Sequence, residues 1–226
     1  INIMNLKQIT LTAAALLFSM NASANLVTNG SFEDPGLNSG AWQVFSGGIP
    51  GWNVTSGTGV EVQNNTIVQA YDGVQYVELD SDVTSSTIPG TGTNSTIQQI
   101  VDGFVIGGHY TLTFAYQPRT PAPAFGSGIS NDNGIDVELC FADQAVGSSI
   151  FDIANVYQDA NTDWDIYSYS FVATDVKAAL SFSADGYQNT LGGFIDNVVI
   201  PEPSILGLLG LGLVGMGVAS RRRQQA

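Results

Sequence analysis

Residues 78–82 read Glu-Leu-Asp-Ser-Asp, so Glu78, Asp80 and Asp82 share one face if the chain stays extended. Paired carboxylates are what glycosidases use. Ser81, Asp82 and the polar run behind them argue that the strand has already ended, which weakens that reading. A second constellation suits recognition rather than turnover. Trp52, Tyr71 and Tyr76 lie near Glu61, Gln63, Asp72 and Gln75, and Arg119 follows a strand-like run at the start of a Pro-rich stretch. Aromatic rings offer a platform to the apolar face of a pyranose, and planar polar groups meet its hydroxyls in a shallow site. Core packing is the plainer role for such rings. Trp52, behind the turn-forming Pro50-Gly51, would equally plug one end of a sandwich, and Trp42 and Trp164 have no assigned place.

Other chemistries are poorly supplied. A single histidine, His109, precludes a multi-histidine metal site, and no Ser-His-Asp order, zinc motif or phosphate loop occurs. Asn131-Asp-Asn-Gly134 has the flavour of a calcium loop without its closing glutamate or flanking helices. Cys140 is the only cysteine, so an intrachain disulfide is impossible, and no base or lysine near it in sequence activates the thiol. No catalytic residue is assigned.

The elements that must position these groups are strands. In 109–117, Tyr110, Leu112, Phe114 and Tyr116 face one way and Thr111 and Thr113 the other, the alternation of a half-buried strand. In 135–141, Ile135, Val137, Leu139 and Phe141 alternate with Asp136, Glu138 and Cys140. Similar runs at 75–79, 96–101, 165–172, 178–184 and 193–200, with shorter pieces at 41–45, 52–55 and 60–63, predict about ten strands. Without crossover helices, strands at this spacing predict an all-β fold, an antiparallel β-sandwich or jelly roll.

The two ends read as export signals. Lys7, the apolar run from Ile9 to Met20 and Ala22-Ser23-Ala24 have the form of a signal peptide cleaved after Ala24. At the other end an apolar, Gly-rich run from Ile205 to Ala219 precedes Arg221, Arg222 and Arg223. As a helix it would span about 22 Å, short of the roughly 30 Å hydrocarbon core, which suits a temporary membrane stage better than permanent anchoring. The arginines favour the cytoplasmic side and leave the body outside. Domain bounds of 1–24, 25–200 and 201–226 follow. Between the ends, only Arg119 and Lys177 stand against nineteen acids, a net charge of −17. Such a body is repelled by nucleic acid and by anionic lipid, leaving cations and neutral polymers as partners. Arg119 must find a carboxylate, either as a structural ion pair or to orient that acid toward a ligand.

Pro201-Glu202-Pro203, the short apolar segment and the terminal arginines together resemble the PEP-CTERM sorting signal of Gram-negative bacteria that make exopolysaccharide. The resemblance implies an exosortase that removes the tail near Pro-Glu-Pro and releases or transfers the body. A second resemblance covers nearly all of 25–200. Asn25-Leu-Val-Thr-Asn-Gly-Ser-Phe-Glu-Asp34, Ile49-Pro-Gly-Trp52, Gly59-Val-Glu-Val-Gln63, Tyr71-Asp-Gly-Val-Gln-Tyr-Val-Glu-Leu-Asp80, Phe114-Ala-Tyr-Gln-Pro-Arg119 and Gly192-Gly-Phe-Ile-Asp-Asn-Val-Val-Ile200 occur in that order. Together they are similar to the galactose-binding-like jelly rolls related to bacterial carbohydrate-binding modules. That likeness implies opening and closing strands side by side and a structural calcium at Glu33 and Asp196 with loop carbonyls, with Asp34 and Asp80 lesser ligands and hydrogen bonding to backbone amides the alternative.

The expected protein is an exported, non-catalytic surface or matrix component. It would associate with exopolysaccharide through Trp52, Glu61, Gln63, Tyr71, Asp72, Tyr76 and Arg119, after processing by signal peptidase at Ala24 and by exosortase at Pro201, Glu202 and Pro203. An inert coat protein and a glycoside hydrolase are the rival classes.

Overall fold

A computed structural model describes residues 24–81, 92–119, 133–141, 163–186, 188 and 190–202. Asp82, the 131–132 start of the calcium-like loop, Pro203, the 205–219 segment and residues 1–23 lie outside the described residues. The described part of 26–200 is built from eleven strands: β1 (Trp42–Phe45), β2 (Gly48–Ile49), β3 (Trp52–Ser56), β4 (Val60–Asn64), β5 (Gln75–Glu78), β6 (Thr96–Asp102), β7 (His109–Gln117), β8 (Asn133–Phe141), β9 (Asp165–Val172), β10 (Lys177–Gly186) and β11 (Phe194–Val199). They form a six-stranded sheet ordered β1-β4-β5-β11-β7-β9 and a five-stranded sheet ordered β2-β3-β6-β10-β8, with antiparallel pairing throughout. This is the two-layer jelly roll that the alternation predicts. The strand absent from the sequence reading is β2, whose two residues are too few to show a period.

The alternation becomes burial. Tyr110, Leu112, Phe114 and Tyr116 of β7, Ile135, Val137, Leu139 and Phe141 of β8, and Ala178, Leu180 and Phe182 of β10 are all buried in one core between the sheets. Cys140 lies on the opposite face of β8 and is partly exposed. Burial, with a smaller contribution from Glu138, pushes its thiol upward, away from the reactive thiolate.

Trp52 belongs to this core. It is 1 % exposed, lies 5.7 Å from both Phe32 and Phe182 between ring centroids, and donates Nε1–H to the Asn29 carbonyl at 3.2 Å. It offers no ring face to a sugar, which corrects its assignment as a binding platform. The reason is the pleat of β3: Trp52 points inward and Asn53 outward.

The opening and closing segments run side by side, as the resemblance implies. Leu26 N–H donates to Ile200 O at 2.9 Å and Val198 N–H to Gly30 O at 2.8 Å. Residues 1–25 and 201–226 make a separate unit. Within it Asn25 bridges Pro201 in antiparallel fashion and Glu202 N–H donates to Ala24 O at 2.8 Å, so three residues of the two expected processing points are neighbours.

Trp52→Ala is expected to cost about 3–5 kcal/mol, the range for deleting a large buried aromatic, read as a fall in the urea unfolding midpoint.

Candidate functional site

The core-facing residues of the six-stranded sheet leave an unusual set on its outer face. Register places Glu61 opposite Glu78 and Gln63 opposite Tyr76 across β4 and β5. Phe194 of β11 faces Glu78 and Gln117, and Asp196 faces Ala115. Since Val62, Val77 and Ile195 point into the core, these polar neighbours all point the other way. An outward face of an antiparallel sheet is ordinarily solvated. Here Gln63, Tyr76, Glu78, Gln117, Phe194 and Asp196 are buried.

Burial dictates the bonding. Glu78 has no exposed surface, and Arg119 Nη1 meets both of its oxygens at 2.9 Å. The Gly192 N–H adds a bond to Oε1 at 2.6 Å, and Gln63 Nε2 donates to Oε2 at 2.8 Å. The same Gln63 nitrogen donates to Glu61 Oε1 at 2.8 Å, so one amide bridges two carboxylates. Its Oε1 accepts from Tyr76 O–H at 2.9 Å, and the Tyr76 oxygen accepts from Ile67 and Val68 N–H at 3.0 and 3.1 Å. Burial pushes Glu78 well above the usual carboxylate range; the Arg119 guanidinium pulls it back and the Glu61 charge raises it further. Gly193, which follows the donor Gly192, has to be small: a Cβ there would collide with the Tyr116 hydroxyl.

Residues 65–74 pass over this layer and are held by two acids from the opening and closing motifs. Glu33 Oε1 accepts from the N–H groups of Val74 and Gln75 at 2.7 and 2.8 Å. Asp196 Oδ2 accepts from Tyr71 and Asp72 at 2.8 and 2.9 Å, and its Oδ1 from Asn197 at 2.6 Å. Gly73, at φ +66°, lets the loop turn against Glu33, whose carboxylate occupies the space a side chain would need. Phe32, between Asn29 and Glu33, is buried in the core, while Asn29 ties the opening turn to Asp34 and to Pro50 O.

Glu33 and Asp196 therefore converge on one loop, but through main-chain N–H donors. Asp80 sits at the other end of β5 and accepts from Leu191 N–H at 3.2 Å. Among the described residues no three acidic, histidine or cysteine side chains form a metal-holding group. Glu33, Asp196 and Asp80 bond backbone N–H groups, the alternative to calcium that the sequence leaves open.

Of the residues expected to bind sugar, Glu61, Gln63, Tyr76 and Arg119 come together as a buried network with Glu78, and Trp52 stands apart in the core. Tyr71 and Asp72 are exposed on the clamped loop. Trp164, which the sequence left without a place, completes the upper surface. Its ring meets Tyr71 edge-on at 6.3 Å and Tyr76 at 5.9 Å, and its Nε1–H donates to Gln69 O at 2.8 Å. Nothing near Trp164 in sequence signals this, because all three contacts are distant along the chain. Trp42, 49 % exposed, lies on the same face of edge strand β1 opposite Gln63. A shallow depression of about 300 Å³ lies away from this layer, lined by Thr28, Gly51, Trp52, Asn53, Gln99 and Ile100. Its Gln99 amide is already engaged in both directions by the Thr28 backbone.

Removing Arg119 leaves an unpaired carboxylate in the layer. Arg119→Ala is expected to lower stability by about 3–5 kcal/mol while Glu78 is charged, and by less at a lower pH where Glu78 takes a proton. Urea unfolding across a series of pH values reads this difference. Asp196 has a pH signature of its own, because burial raises it from 3.8 to about 7 against the pull of its N–H donors. The folded state then holds a proton that the unfolded state releases. The associated stability is complete below the unfolded value and is lost as pH rises through about 7, with a slope of up to about 1.4 kcal/mol per unit. Asp196→Asn is expected to remove that slope in the same titration.

A family profile described as "Protein of unknown function (DUF642)" matches residues 25–201, and the PEP-CTERM protein-sorting motif matches residues 199–223. No curated protein is similar in sequence. Among solved structures, the Stig cyclase Fisc from Fischerella sp. TAU, in complex with a substituted 3H-indole, is similar with a TM-score of 0.56 and 19 % identity over 78 % of this chain and 96 % of that one. TmCBM61, in complex with β-1,4-galactotriose, gives 0.48 and 19 % over 80 % of this chain and all of its own. A family 16 carbohydrate-binding module gives 0.47 and 17 % over 79 % of this chain and all of its own. At these identities the likeness to the cyclase is one of fold alone. This chain belongs to the DUF642 family, and its jelly-roll body is followed by a PEP-CTERM sorting motif.

Proposed function

We propose that this is an exported, non-catalytic component of the bacterial cell surface or extracellular matrix that associates with exopolysaccharide, delivered by exosortase processing of its C-terminal tail. The observation that carries the binding part is the surface formed by Tyr71, Asp72 and Trp164. Tyr71 is 45 % exposed, stands edge-on to Trp164 and rises from a loop whose backbone is clamped by Asp196. A ring presented on a fixed backbone loses little freedom when a sugar stacks on it. The adjacent Asp72 supplies an acceptor for hydroxyls. The sorting motif gives the surface destination, and the acidic body favours a neutral polymer over polyanions.

The buried network supports a binding role over hydrolysis. A hydrolase has to bring two carboxylates to a glycosidic bond. Glu61 and Glu78 are bridged by Gln63 and removed from solvent, with Arg119 on Glu78. Arg119 in this reading is a support for the platform rather than a sugar contact.

The test is retention on the host's own polysaccharide. Tyr71→Ala is expected to weaken retention by about tenfold or more, the scale for losing an aromatic anchor, with an unchanged urea midpoint. Equal retention of both proteins removes the site. No retention of either favours an inert coat protein, and released oligosaccharide favours a hydrolase.

A further inference from the structure

One end of the body carries apolar side chains where turn chemistry ordinarily places polar ones. The β6–β7 connection (103–108) and the β9–β10 connection (173–176) are bonded to each other along the main chain. Gly103 and Phe104 N–H both donate to Val176 O at 3.1 Å, Gly107 N–H to Ala173 O at 2.7 Å and Ala173 N–H to Gly108 O at 3.0 Å. Phe104 anchors them from below against the rings of Tyr110, Phe141 and Phe171, and Val105 N–H donates to the Tyr110 hydroxyl at 2.7 Å. The double loop is thus firmly built. Val105, Ile106, Val172 and Val176 nevertheless stand 51, 64, 45 and 45 % exposed on it. The charged groups beside them among the described residues are the Asp102–Lys177 pair at 2.8 Å and Asp175.

The chain leaves the body at this same end. β11 runs antiparallel to β7, with Val199 opposite Thr113, so Ile200 points toward the His109 end of β7. Leu26, bonded to Ile200, reaches to 3.2 Å from where a Cβ on Gly103 would stand. Only Pro201, Glu202, Pro203 and Ser204 separate Ile200 from the apolar run that begins at Ile205. Four residues span at most about 14 Å fully extended.

We propose that this end is a membrane-facing surface: while the C-terminal segment is inserted, Val105, Ile106, Val172 and Val176 enter the interfacial region of the bilayer. The proposal rests on the reading of 205–219 as a segment that enters a membrane. The short tether holds the loops at the surface, so weak apolar contacts suffice to seat them without binding lipid from solution. The lipid surface that fits is a zwitterionic one, since the carboxylates of the body repel anionic headgroups and the local Asp102–Lys177 pair is neutral. Seating fixes the orientation in which the Pro-Glu-Pro linker is offered to a membrane-embedded processing enzyme. It also releases the body once the tail is cut.

The test uses the full chain in a Cys140→Ser background, with a nitroxide on Ile106→Cys or Val105→Cys and a reference label on Ser56→Cys at the far end of β3. In phosphatidylcholine vesicles, collisions of the loop labels with a water-soluble nickel chelate are expected to fall several-fold below those at the reference, with collisions with lipid-soluble oxygen rising. Loop labels as open to nickel as the reference, in protein that floats with the vesicles, overturn the proposal while leaving tail insertion intact. Loop labels shielded from both reagents overturn it in favour of contact with another protein copy. Protein that does not float overturns both the proposal and the membrane stage beneath it.

Discussion

Carboxylates taken out of water have to be met by N–H donors, and that requirement organises the outer face of the six-stranded sheet. Glu78 recruits Arg119, Gly192 and Gln63; Asp196 recruits the backbone of Tyr71, Asp72 and Asn197; Glu33 recruits Val74 and Gln75. Each charge-assisted bond contributes about 1.5–3 kcal/mol, while an unmet buried charge costs more than any one of them returns. The loop at 65–74 therefore cannot lift without taking N–H donors away from two acids and from the Tyr76 hydroxyl. The opening Asn-Gly-Ser-Phe-Glu and closing Asp-Asn-Val segments act on it together, one acid from each holding adjacent stretches of the same backbone.

This arrangement separates support from contact. The lower layer, Glu61, Gln63, Tyr76, Glu78 and Arg119, is closed on itself and fully engaged. The upper layer, Tyr71, Asp72 and Trp164, faces solvent and draws its rigidity from below through Tyr76, against which Trp164 rests. A fold shared with a cyclase carries no activity by itself, because function resides in what the face of the sheet presents. Here that face presents aromatic edges and an acid on a fixed loop.

Charge and ends complete the picture. The body keeps two cations, and both are paired: Arg119 internally, Lys177 with Asp102 at the surface. No free basic patch remains on it to attract nucleic acid or anionic lipid. The exposed Val105, Ile106, Val172 and Val176 lie at the end toward which β11 runs.

Much was legible in the sequence because much is local. Strand alternation in 109–117 and 135–141 depends only on the two-residue repeat of an extended chain, and it specified the inward faces, the two-layer class and the outward turn of Cys140. The side-by-side opening and closing strands and the sorting tail came from ordered motifs. Sequence also required Arg119 to find an acid, since one cation among so many carboxylates has no alternative. Which acid it found, and whether Trp52 faced sugar or core, was decided only by tertiary structure. Glu78 and Arg119 are 41 residues apart, and Asp196 reaches Tyr71 across 125. Trp52 was claimed by Phe32 and Phe182 from elements distant along the chain, and Trp164 was brought over Tyr76 in the same way. Periodicity states which way a side chain points. Only folding states what it meets there, because the desolvation that makes a carboxylate demand donors does not exist until the covering loop has closed.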